Sequence, residues 1–117
     1  MSTPGGRQAT EPAGWVSTVT VHRLGPVAAV PVGEGRAFAV AGAQIAVFRL
    51  RDGTLRATEA TCPHAGGPLA DGQLDATKVV CPLHLRAFTF ADGSCPEGPG
   101  IAVYPARVED GEIVVER

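Results

Sequence analysis

Two short boxes, Cys62-Pro63-His64 and Cys81-Pro82-Leu83-His84, constrain this chain more than any other feature of its sequence. The order is C-x-H, sixteen intervening residues, then C-x-x-H. Each box contributes one soft thiolate and one neutral imidazole, so the pair reads as a two-loop clamp for metal. The fold must therefore bring residues 62–64 and 81–84 face to face. The prolines after each cysteine stiffen the loops, and Gly66 and Gly67 let backbone N–H groups come close to a negatively charged sulfur cage.

Two metal readings compete for Cys62, His64, Cys81 and His84. A structural zinc site also accepts two Cys and two His, which would make the chain a zinc-stabilised interaction module. Zinc pairs, however, are usually separated by two or more residues and commonly pair like with like. Here each box mixes one Cys with one His, and a single residue separates the first pair. That arrangement favours a binuclear iron–sulfur site, with each loop serving both irons.

The rest of the chain sets the scaffold. Apolar and β-branched runs occur at Val16–Val21, Arg36–Val40, Ile45–Leu50, Val79–Val80, Phe88–Phe90, Ile101–Tyr104 and Ile113–Val115. Several alternate with the period of a strand, and none keeps a helical period over three turns. Asp-Gly, which accepts the positive φ of tight hairpins, occurs at 52–53, 71–72, 92–93 and 110–111. With 15 Gly and 10 Pro in 117 residues, the expectation is one all-β domain of antiparallel hairpins. Residues 22–35, broken by Pro26 and Pro31, read either as an interrupted strand or as an extended loop. Residues 1–14, rich in Gly, Pro, Ser and Thr, read as a disordered leader, which leaves 15–117 as the domain, with Trp15 anchoring its first strand.

Charge and composition exclude several classes. A net charge of −2 without a basic run argues against a nucleic-acid partner. No apolar stretch approaches the length of a membrane span, and no secretory signal precedes the domain, so the cytoplasm is the expected compartment. Reduced thiols there serve metals rather than disulfides. Once the four candidate ligands are spent, no nucleophilic triad and no phosphate-binding glycine loop remain. Substrate chemistry then belongs to a partner, and the chain has no catalytic site of its own. His22, alone outside the boxes, reads as an ordinary strand residue, and Cys95 as a small packing residue at the rim of the site.

Cys62-Pro63-His64-Ala65-Gly66-Gly67 and Cys81-Pro82-Leu83-His84 resemble the two cluster-binding boxes of Rieske [2Fe–2S] proteins. The resemblance runs through most of residues 15–116 and implies a β-sandwich-like base with a cluster-binding subdomain inserted at about 60–98. It further implies a Rieske-type [2Fe–2S] cluster, histidines on the outer iron, and one-electron transfer. Three His in all, two of them spent on the cluster, leave too few for the mononuclear iron site of a Rieske oxygenase subunit.

High-potential members carry an extra disulfide-forming Cys in each box, where this chain has Gly67 and Leu83. They also carry a Ser and a Tyr that donate to the cluster sulfurs, where this chain has Arg86 and Phe88. Loss of those donors implies a potential near the low end of the Rieske range, about −150 mV. Gly33–Phe38, Gln44–Arg49, Gly93–Cys95 and Val103–Gly111 are similar to the small subunit of assimilatory NAD(P)H nitrite reductase. That likeness implies a large flavin- and haem-bearing reductase subunit as partner. Rieske ferredoxins of aromatic-ring dioxygenases share the boxes and the base fold, and imply instead a flavin reductase and an oxygenase. Leu85 departs from both patterns, standing where Gly often follows the second His.

Overall fold

The computed structural model describes residues 20–63, 66–83 and 85–117. The leader, Trp15 and most of the run from Val16 lie outside the described residues, as do His64 and His84. The described chain is almost entirely antiparallel β-structure, as the hairpin signals predict. Its strands are β1 (Val21–Pro26), β2 (Glu34–Val40), β3 (Ala43–Arg49), β4 (Leu55–Glu59), β5 (Gln73–Leu74), β6 (Lys78–Val80), β7 (Ala87–Thr89), β8 (Val103–Tyr104), β9 (Ala106–Glu109) and β10 (Glu112–Glu116). They form three sheets, ordered β9-β10-β1, β2-β3-β4-β8 and β5-β6-β7. The ambiguous stretch 22–35 resolves into strand β1 followed by a 3₁₀ turn at Val27–Ala29.

Strand β3 is the wall between two cores. Its Ile45 and Val47 pack with Val40, Leu55, Ala57, Ile113 and Val115. Its Ala46 and Phe48 face the other way and pack with Cys62, Leu69, Val79, Cys81, Phe88 and Phe90. A strand covered on both faces reads as a continuous apolar run rather than an alternation, which is what Ile45-Ala46-Val47-Phe48 supplies. Phe48 and Phe90 anchor the second core with ring centroids 5.4 Å apart in a tilted arrangement. Full burial of a side chain such as Phe48 or Phe88 contributes about 1.5–3 kcal/mol.

The turns separate into true hairpins and packing constraints. Asp110-Gly111 joins β9 to β10 with both residues at positive φ, 53° and 77°, as a two-residue type I′ turn requires. The β2–β3 hairpin uses Ala41-Gly42 in the same way, at 50° and 83°, without the Asn or Asp that would mark it in the sequence. Asp71-Gly72 corrects the hairpin expectation. Gly72 sits at φ −75°, ending a 3₁₀ turn at Leu69–Asp71. There the absence of a side chain matters because a Cβ would lie 2.2 Å from the Val80 carbonyl oxygen.

Candidate metal centre

The first box hangs from the end of β4. Glu59 braces that exit: its N–H donates to the Ala102 carbonyl (3.0 Å), and its carboxylate accepts from the Ala102 N–H (2.6 Å). A single bridge, Thr61 to Pro68, then closes the loop on itself. Within it the Cys62 N–H donates to the Gly67 carbonyl (2.9 Å) and the Gly66 N–H donates to the Cys62 carbonyl (2.7 Å), with Gly66 at φ +71°. These short-range bonds leave the Cys62 side chain turned into the core, 1% exposed.

The second box is the tip of a hairpin. Strands β6 and β7 pair Val80 with Ala87, and the Cys81 N–H donates to the Arg86 carbonyl (2.8 Å). Pro82, Leu83 and Leu85 therefore lie at the tip of the hairpin and are exposed, whereas Cys81 is fully buried. Leu85 holds φ +56°, a conformation that glycine adopts without penalty and leucine does not. That is the backbone reason a Gly is favoured at this place.

The two loops meet through their cysteines. The Cys62 thiol lies within hydrogen-bonding reach of Cys81, and the Leu83 N–H is directed at the Cys81 sulfur. Burial pushes the Cys81 thiol above its ordinary value; the Leu83 N–H opposes the shift, and the neighbouring Cys62 adds to it. Two thiolates side by side in such a place are costly unless a cation sits between them. Gly67 makes the approach possible, since a Cβ there would lie 2.8 Å from the Cys81 sulfur. Buried paired thiols, an N–H turned to sulfur and a glycine at the contact fit an iron–sulfur cluster.

Of the four predicted ligands, the described residues bring Cys62 and Cys81 together; His64 and His84 lie outside the described residues. Cys95 packs against the same core at its rim, its thiol donating to the Glu97 carboxylate (3.3 Å). His22 sits on β1 opposite Val115, remote in sequence from both boxes. One contact had no sequence signal beyond a positive charge: the Arg86 guanidinium donates to the Glu97 carbonyl (2.6 Å) and ties the hairpin tip to the 95–98 turn.

An all-β base whose β4 and β6–β7 hairpin present two thiols to one another defines an iron–sulfur carrier of the two-loop type. The chain belongs to the Rieske [2Fe–2S] domain family, which matches residues 20–112. Its cofactor is a Rieske-type [2Fe–2S] cluster and its work is electron transfer.

Among solved structures it is similar to one assigned as an NADH-dependent nitrite reductase small subunit from Mycobacterium tuberculosis. The identity is 30% and the TM-score 0.78, covering 86% of this chain and 97% of that one. It is also similar to the ferredoxin of carbazole 1,9a-dioxygenase from Nocardioides aromaticivorans IC177, at 29% identity and TM-score 0.73, covering 82% and 96% of the two chains. Among characterised sequences, the ferredoxin component of the naphthalene 1,2-dioxygenase system from Pseudomonas aeruginosa is 25% identical over 105 residues, 87% of this chain and 94% of that protein. Among the described residues no helix is long and apolar enough to cross a membrane.

Proposed function

We propose that this chain is the electron-carrying small subunit of an NAD(P)H nitrite reductase, working in the cytoplasm beside a large flavin- and haem-bearing subunit. Cys62 and Cys81 would hold the cluster through their thiolates, and His64 and His84 through ring nitrogens. When bound, the cluster supplies a one-electron couple; the chain itself supplies no substrate chemistry. The loops carrying these ligands belong to a cluster-binding subdomain at about 60–98, inside a domain of residues 15–117 that follows a leader at 1–14.

The observation that carries the reading is the pair of buried thiols from two separate loops, Cys62 and Cys81, in mutual contact. The protein's residues then have defined tasks. The Leu83 N–H holds negative charge on the Cys81 sulfur, and Gly67 keeps the loops close enough to share the metal pair. The core residues Leu69, Val79 and Phe88 exclude water from beneath the thiols.

A second reading, a soluble ferredoxin feeding an aromatic-ring dioxygenase, is favoured by the exposed Leu83 and Leu85, 45% and 75% accessible, on either side of His84. Such a tip suits a partner that binds and leaves. The test is purification with iron analysis and electron paramagnetic resonance after dithionite reduction, followed by co-expression with a nitrite reductase large subunit. A rhombic signal of low average g and stable copurification support the subunit reading. A cluster-bearing chain that ignores the large subunit but sustains dioxygenase turnover through a flavin reductase supports the ferredoxin. Replacing His64 or His84 by Ala should abolish the cluster, and an unchanged spectrum would remove that residue from the ligand set.

A further inference from the structure

The chain contains Asp-Gly at four places and no asparagine. Such a pair is open to an intramolecular reaction, because glycine has no side chain to shield its nitrogen as it turns on the aspartate carboxyl. The reaction needs an unengaged N–H, a carboxyl released from other partners, and access for water. The structure separates the four pairs on these counts.

In three of them the glycine N–H is already engaged. Gly53 donates to the Leu50 carbonyl (2.9 Å), Gly72 to the Leu69 carbonyl (2.9 Å) and Gly93 to the Thr89 carbonyl (2.8 Å). Two of the carboxylates are held as well. Asp52 accepts from the Thr54 N–H (2.9 Å), and Asp92 accepts from the Thr89 hydroxyl (2.7 Å) and the Ser94 N–H (3.0 Å). Thr54 keeps the Asp52 carboxyl below its ordinary value, and Thr89 does the same for Asp92, so less of the protonated form that loses water is present. Gly93 is buried, and Gly53 and Gly72 are half-buried. At Asp110-Gly111, by contrast, both residues are exposed, and a Cβ on Gly111 would meet nothing within 4 Å. Among the described residues neither the Gly111 N–H nor the Asp110 carboxylate has a hydrogen-bond partner.

We propose that Asp110-Gly111, the tip of the β9–β10 hairpin, is the site at which the folded chain modifies itself by isoaspartate formation. The Gly111 nitrogen attacks Cγ of Asp110. An N–Cγ bond forms, and one water leaves, made of the carboxyl hydroxyl and the amide proton. Water then adds back to the ring. Attack at Cγ restores aspartate, whereas attack at the Asp110 main-chain carbonyl breaks its old bond to the Gly111 nitrogen and leaves isoaspartate. The net change is an isomerisation, with no change of mass and no redox step. The main chain afterwards runs through Cβ and Cγ of residue 110 and is one carbon longer. A two-residue turn that pairs Glu109 with Glu112 has no slack for that carbon, and the Val27 N–H bond to the Gly111 carbonyl (2.9 Å) is drawn into the change. The inference stands apart from the function proposed above.

Arginine or lysine separates the four pairs, so each lies on its own tryptic peptide, Asp110 on Val108–Arg117. The experiment ages the full, cluster-loaded chain at neutral pH in heavy-oxygen water, with a parallel sample in denaturant, and digests both in ordinary water. Ring opening writes heavy oxygen into any peptide that passed through the ring, and electron-transfer fragmentation identifies the isoaspartate. In the folded protein Val108–Arg117 should gain both marks about tenfold faster than each of the other three, which must first release their hydrogen bonds. In denaturant the four rates should converge to within about threefold, since only local sequence then distinguishes them. A folded chain in which another pair comes within about threefold of Asp110, or in which Asp110 stays intact, would overturn the proposal. So would a denatured chain that keeps the folded chain's preference for Asp110.

Discussion

Gly67 and Leu83 face one another across the two loops, such that a Cβ built on Gly67 lies 3.3 Å from the Cβ of Leu83. These are the positions at which high-potential Rieske proteins carry their additional cysteines. The separation is close to the Cβ–Cβ spacing of a disulfide. The loops of this chain thus keep the approach of a cross-linked pair without the link.

The double variant Gly67→Cys/Leu83→Cys should therefore oxidise to an intramolecular disulfide, seen as a 2 Da mass loss that dithiothreitol reverses. Closing a loop of this length should stabilise the protein by about 3 kcal/mol against its reduced form in denaturant unfolding. Gly67→Ala alone should do the opposite. Its methyl would press on the Cys81 sulfur from 2.8 Å, and overpacking of this kind costs about 1–3 kcal/mol.

Leu85→Gly should stabilise the fold. The residue is held at φ +56° with its side chain 75% exposed, so removing the side chain relieves strain and gives up little burial. A gain of about 1 kcal/mol in thermal or denaturant unfolding is expected, and a loss of stability would mean that the Leu85 side chain packs more than its exposure indicates.

Gly93→Ala should be the most damaging methyl among the described glycines. Gly93 is at φ +78°, and a Cβ there would sit 1.9 Å from the Ile101 carbonyl oxygen. The same glycine receives the Ile101 N–H on its own carbonyl (2.8 Å), so the 93–101 clasp has to open to make room. The expected loss is about 2–4 kcal/mol, measured as a drop in the denaturant midpoint at constant slope.

Cys95→Ser should leave the absorption and resonance spectra unchanged, because the thiol is spent on packing and on the Glu97 carboxylate. A bleached protein would make Cys95 part of the centre.

Acid should loosen the turn into β6 late. The Asp75 carboxyl is held well below the usual carboxylate range, first by Lys78, then by the Thr77 N–H. Asp92 is lowered too, chiefly by the Thr89 hydroxyl and then by the Ser94 N–H. A depressed folded-state value adds stability above the ordinary carboxylate pKa and gives it up as pH falls through the lowered value. Unfolding followed from pH 6 to pH 2 should thus show a steeper loss of stability in the parent than in Asp75→Asn, which lacks the charge at every pH and should show a flatter profile from a lower start.

The class of cofactor was legible in the sequence because it depends on residue type and spacing; of the four residues read as its ligands, Cys62 and Cys81 come together in the fold, and His64 and His84 lie outside the described residues. Hairpin signals also carried the all-β reading. Strand β4 carries a weak sequence signal because Leu55-Arg56-Ala57-Thr58-Glu59 offers only two small or medium apolar residues between polar ones. Its strand character comes from pairing on both sides, with β3 and β8. Asp71-Gly72 misled for the converse reason: the dipeptide is common in hairpins, but here tertiary crowding against Val80 selects the glycine. The Arg86 tie to Glu97 joins residues eleven apart through a backbone oxygen, which no side-chain pattern can announce.

Because neighbouring residues of β3 serve different compartments, Ile45 and Val47 one and Ala46 and Phe48 the other, a slip of one residue would exchange their contents. The base cannot then drift independently of the redox end. An insertion in the Ala41-Gly42 turn would be felt at the cysteines, while the exposed side chains of Leu83 and Leu85 at the β6–β7 tip lie beyond that wall and can change, and with them the company the protein keeps.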